Sequence, residues 1–136
     1  MGINGAPRLR IVVYSFGFKY GTPVGVNMVW DVRFLPNPYW VEALRAKTGR
    51  VGEVAEYVLN SAAGRSFWAH LEPLLDFLVQ QNTAAGKKNL RIAIGCTGGR
   101  HRSVAVTEKI ATCLAGLPVD LAIFHRDIDK DGGGQD

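Results

Sequence analysis

Little in these 136 residues suits a stapled, cofactor-bound or membrane-spanning protein. Cysteine occurs twice, at Cys96 and Cys113. They flank what reads as one helix, roughly four turns apart at ~1.5 Å per residue, which is beyond the reach of a disulfide. Both are expected as free thiols, Cys113 as a small core residue on the apolar stripe of that helix. No metal and no organic cofactor is expected. Hydrophobic residues make up 47% of the chain, yet charge or glycine interrupts every apolar run well short of the ~18 residues that a membrane span needs. The first ten residues lack the apolar segment of a secretory signal, so a cytoplasmic protein with no membrane partner is expected. There are no internal repeats. The length suits one compact domain that can bury a core without disulfides.

Acidic residues are scarce until the end. Residues 127–136 carry a net charge of −3, which leaves +7 on residues 1–126. A basic body permits an acidic partner such as RNA or a phosphorylated metabolite, although charge alone discriminates weakly between them.

What is present centres on Leu90 to Ala115. Leu90 to Ile94 is a short apolar run with β-branched Ile92 and Ile94, a buried strand by pattern. Gly95 to Arg102 is glycine-rich, and Val106, Ile110, Cys113 and Leu114 then recur at helical spacing. A loop that opens a helix meets unpaired backbone N–H groups and the positive end of the helix dipole, and so can hold an anion. Cys96, Thr97, Gly98, Gly99, Arg100, His101, Arg102 and Ser103 are therefore candidate ligands of a phosphate-type anion. The loop lacks the Gly-Lys-Ser/Thr of a Walker A motif, and its glycines have the wrong spacing for a dinucleotide fingerprint.

The rest of the chain supplies strands whose ends can join this loop. Leu9 to Tyr14 reads as a strand ending at Ser15, with Lys19 close behind. Val26 to Val32 is a second apolar run leading into Asp31, Arg33 and a rigid Pro36-Asn37-Pro38 turn. Asp31 and Arg33, two apart, share a face of an extended segment and are expected to pair with each other or with the loops, more deeply than an exposed surface pair. Leu44 to Gly49 reads as a connection. A helix is expected over Val51 to Asn60. Another runs from Ser66 or Phe67 to Gln81, with Phe67, Leu71, Leu74, Leu75 and Leu78 as its buried face, Pro73 as a bend or sign of an earlier start, and His70 on the surface. Asn82 to Asn89 reads as a link. Val119 to Phe124 is a last strand, with His125, Arg126 and Asp127 at its end. The fold class is α/β: a single domain, a mostly parallel sheet flanked by helices, and ligand loops at the carboxyl ends of strands. Residues 1–8 are expected as a flexible leader, 9–127 as the domain and 128–136 as a disordered acidic tail.

Four motifs, SFGFKYG (15–21), DVRFLPNP (31–38), GCTGGRHRSV (95–104) and HRD (125–127), resemble the C-terminal domain of the RNase adapter protein RapZ and its relatives. The resemblance covers roughly residues 8 to 128. It implies an α/β module that binds small RNA, senses glucosamine-6-phosphate and assembles into homo-oligomers, in proteins whose N-terminal P-loop domain this sequence does not contain. Ser15, Lys19, Asp31, Arg33, Asn37, His125 and Arg126 join the loop residues as candidate ligand-binding positions. Two departures stand out. The family's basic tail is replaced by aspartates, which repel phosphates, and Tyr39 stands where a histidine commonly follows Asn-Pro. Two other classes compete with this reading. Cys96, Arg102 and Ser103 have the C-x5-R-S spacing of cysteine-dependent phosphatases, with Asp31 or Asp127 as general acid. An assembly or scaffold module is the other.

Overall fold

The computed structural model describes residues 8–130. Four strands, β1 (Leu9–Gly17), β2 (Met28–Asp31), β3 (Asn89–Cys96) and β4 (Val119–His125), form one sheet in the order β2-β3-β1-β4. Every pairing is parallel. All four carboxyl ends therefore reach one edge: Gly17 pairs with Cys96, Asp31 with Gly95, and Ser15 with His125. Ligands of open α/β sheets gather at such an edge.

Alternation along the strands sorts two faces. Leu9, Ile11 and Val13 of β1 and Leu90, Ile92 and Ile94 of β3 pack in one cluster with the helices. These are α2 (Gly52–Leu59), α3 (Ala62–Ala84) and α4 (Arg102–Leu114); the short α1 (Glu42–Arg45) adds Leu44. The other face holds a smaller cluster of Tyr14, Phe16 and Ala93, covered by Phe18 and Val26 of the β1–β2 crossing. There Phe124 stacks on Tyr14 with ring centroids 4.4 Å apart.

Several boundaries depart from the sequence expectations. β1 and β3 run on to Gly17 and Cys96, so Ser15 lies within a strand and Cys96 ends one rather than opening a loop. The 44–49 connection begins within α1. α3 starts at Ala62 because Ser61 caps it, its Oγ accepting the Gly64 N–H at 2.9 Å. It continues to Ala84, through the first residues expected as a link. Pro73 lies inside it on the exposed side, where the N–H it lacks removes one helix hydrogen bond. The buried stripe of α3 is Leu71, Leu75 and Val79, spaced four apart; Leu74 lies about 100° away from Leu75 around the helix and is 42% exposed. His70 is exposed, as expected. In α4 every residue from Arg102 to Thr107 is buried, a broader contact than a single apolar stripe requires. The leader and the end of the tail, residues 1–7 and 131–136, lie outside the described residues; Ile128 to Lys130 continue β4 as a turn, with Lys130 N–H donating to Asp127 O. Among the described residues no helix is long and apolar enough to cross a membrane.

Candidate anion-binding site

The connection from β3 to α4 is residues 97–101, five residues that carry two glycines and turn the chain into the helix. Gly99 takes φ +79°, a conformation that side chains disfavour. His101 precedes the helix without a capping side-chain hydrogen bond, and the N–H groups of the first turn have no intrahelical carbonyl to bind. The local positive field of the helix start is thereby directed at this loop.

Three neighbouring segments hold the loop in shape. From β1, Gly17 packs so closely that a Cβ there would lie 2.4 Å from the Gly98 carbonyl carbon, and the Lys19 N–H donates to Thr97 O at 3.1 Å. From the 46–49 turn, Gly49 N–H donates to Arg100 O at 2.8 Å, and a Cβ on Gly49 would lie 2.3 Å from His101 O. From the segment after β2, the buried Arg102 guanidinium donates through Nη1 to Arg33 O at 2.7 Å and to Leu35 O at 3.4 Å, and through Nη2 to Thr97 Oγ1 at 3.5 Å. Arg102 therefore joins the floor of the loop to its wall. His101, fully buried, donates from Nε2 to Arg45 O at 3.0 Å and so ties the helix start to α1.

The predicted residues divide into an outer group and a support. Lys19, Asp31 and Arg33 are exposed and Thr97 and Arg100 half-buried, and these five form the outer group. Asp31 and Arg33 pair bidentately, at 2.7 to 3.1 Å, with Arg33 Cζ 4.1 Å over the Phe18 ring. The pair is 46% exposed on each side, which corrects the expectation of a more deeply placed contact. Its Arg33 hydrogen bonds hold the Asp31 carboxyl below the ordinary carboxylate value, against the opposing effect of burial. Asn37 accepts the Tyr39 N–H at 3.1 Å and shapes the Pro36–Pro38 turn. Ser15 and the His125 ring are buried together: Ser15 Oγ hydrogen-bonds His125 Nδ1 at 2.7 Å, and His125 Nε2–H donates to Glu108 Oε2 of α4 at 2.6 Å. Cys96 is fully buried, and its Sγ lies 3.1 Å from Ser103 Oγ as donor.

Asp127, weighed in the sequence only as a general acid, proves central to the support. Its carboxylate is fully buried and accepts from Gly17 N–H at 2.8 Å, from Arg126 Nε and Nη2 at 2.8 to 3.1 Å, and from Lys130 Nζ at 2.7 Å. Burial pushes its pKa up, but these partners outweigh burial and leave it below the ordinary value. Neither Asp31 nor Asp127 is thus poised to donate a proton at neutral pH. Gly17 enters the sequence reading only within the SFGFKYG motif, and Gly49, Glu108 and Lys130 are missed by it; the Thr48-Gly49 turn is a visible signal, whereas Glu108 looks like any solvent-facing helix residue. Beside the loop a cavity of about 330 Å³ is lined by Ala46, Thr48, Arg100, Ile128, Asp129 and Lys130.

An all-parallel sheet with a glycine-rich loop leading from the end of β3 into α4 defines an α/β domain. The RapZ C-terminal domain family matches residues 9–129, and the chain belongs to that family. A nucleotide-binding protein of Acetivibrio thermocellus is 49% identical over 120 residues, covering 88% of this chain and 41% of that protein. One of Clostridioides difficile is 50% identical over 121 residues, covering 89% and 42%, and one of Streptomyces coelicolor is 46% identical over 125 residues, covering 92% and 42%. The chain thus spans less than half the length of these curated relatives.

Proposed function

We propose that this chain is a ligand-sensing adapter domain that binds a phosphate-type anion at Thr97 to Ser103, held by the backbone N–H groups of the loop and the α4 start and by the cations of the outer group. The observation that supports the reading is the built loop: backbone from Gly17, Gly49 and the 33–35 segment packs against it from three sides where it opens α4. The ligand is a phosphorylated sugar, with glucosamine-6-phosphate as the compound the family resemblance implies, and the compartment is the cytoplasm. Ser15, Cys96 and His125 serve as internal support, and Lys19, Thr97, Arg100 and Arg33 face the ligand.

Binding is favoured over phosphatase chemistry. A cysteine nucleophile must reach the phosphorus as a thiolate, whereas Cys96 is fully buried with Ser103 as its acceptor, and the two available carboxyl groups are held deprotonated. RNA is a secondary partner, bound through the net positive body in a strongly salt-dependent manner. A scaffold role would rest on the exposed Phe34, Leu74 and Phe77 and on assembly with further copies. Calorimetric titration with glucosamine-6-phosphate tests the reading: Arg100→Ala should weaken binding by about 1.5–3 kcal/mol, the scale of a charged hydrogen bond. Equal affinity in parent and variant would refute the assignment.

A further inference from the structure

Asp127 is a carboxylate buried directly behind a loop that is read as binding anions, a placement that electrostatics alone disfavours. We propose that Asp127 is the positioning residue of the anion loop, acting through Gly17 rather than on the ligand; this rests on the anion-binding reading. The geometry is a stack. Asp127 Oδ2 accepts the Gly17 N–H at 2.8 Å, and Gly17 lies in backbone contact with Gly98. On Gly99 a Cβ would lie 2.6 Å from Gly17 N and 3.1 Å from Asp127 Cβ. Only glycine backbone separates the carboxylate from the loop.

The same carboxylate organises the flank of the site. Arg126, bound to Asp127, donates from Nη2 to Gly21 O at 2.7 Å and fixes the end of the Phe18–Tyr20 turn, whose Lys19 N–H holds Thr97 O. Lys130, paired with Asp127 at 2.7 Å, lies 4.7 Å from the centre of the Tyr20 ring and lines the cavity beside Arg100. Two cations thus offset one buried negative charge, and the carboxylate sets the height of the Gly98-Gly99 turn without repelling the ligand. Its side chain is fully buried.

Charge and geometry predict opposite signs, which makes the inference testable. Removing a nearby negative charge should tighten anion binding, whereas losing the Gly17 anchor should loosen it. Inorganic phosphate is titrated calorimetrically into the parent chain, Asp127→Ala, which removes both the charge and the Gly17 acceptor, and Asp129→Asn, which removes the same charge two positions on from an exposed side chain. Asp127→Ala should bind phosphate at least fivefold more weakly, while Asp129→Asn should bind equally or more tightly. Equal or tighter binding by Asp127→Ala overturns the inference and leaves the anion site standing; no binding by the parent overturns both.

A second measurement needs no variant. If the Gly17–Asp127 bond must be made for binding, saturating phosphate must stabilise it in return. Amide hydrogen exchange at Gly17 in the parent chain should then slow by up to about 100-fold at 100 times Kd. Exchange at Gly17 that phosphate leaves unchanged overturns the positioning role.

Discussion

Gly17→Ala separates local preference from tertiary contact. Gly17 has φ −107° and ψ 128°, ordinary extended values that alanine adopts freely. Reduced freedom of the unfolded chain alone would therefore make alanine stabilising by about 0.4–1 kcal/mol. The surroundings argue otherwise. The new Cβ would lie 2.4 Å from Gly98 C, 2.6 Å from Gly98 O and 2.9 Å from Gly98 Cα, all backbone atoms that cannot rotate aside. Relief requires β1 and the loop to separate, and forced repacking of this kind costs about 1–3 kcal/mol. The net expectation is destabilisation of about 0.5–2 kcal/mol, measured by urea unfolding with an unchanged m-value, together with weakened phosphate binding, because the displaced atoms belong to the anion loop. A variant as stable as the parent, or more stable, would refute the claim that Gly17 and Gly98 are locked together.

Acid stability should carry the signature of Asp127. Its folded pKa lies below the ordinary value of 3.8, so its contribution is fully present above that value and is lost as pH falls through the folded pKa; urea midpoints across this range should fall with pH more steeply in the parent than in Asp127→Asn. Cys96→Ser should leave hydrolysis of phosphate monoesters at its background, and turnover by the parent that disappears in a folded Cys96→Ser would restore the phosphatase reading. Leu75→Ala, at a side chain 1% exposed, should cost about 2–5 kcal/mol in chemical denaturation, whereas Leu74→Ala, 42% exposed, should cost well under half as much; equal losses would contradict the assigned face of α3.

The strand–loop–helix unit was legible in the sequence because its signals agree: β-branched Ile92 and Ile94, the glycines, then Val106 and Ile110 at helical spacing. Family resemblance placed the same motifs at one site. The buried face of α3 was harder to read. Phe67, Leu71, Leu74, Leu75 and Leu78 offer more apolar side chains than one contact face can cover, and only packing selects Leu71, Leu75 and Val79 as fully buried, with Phe67 partly buried against the same core. The division of the site into outer group and support was also hidden. Arg102 and Arg100 look alike in sequence, but carbonyls of the 33–35 segment draw Arg102 inward. The role of Asp127 depends on contacts 110 residues away at Gly17, which no local pattern records.

The most direct test of the anion site is a titration of the ¹⁵N-labelled chain with inorganic phosphate, followed by amide chemical shifts. Saturable shifts concentrated on Gly98 to Ser103, with smaller ones at Gly17 and Lys19, are expected. Shifts spread over surface lysines and arginines without saturation, or none at the loop, would contradict the account.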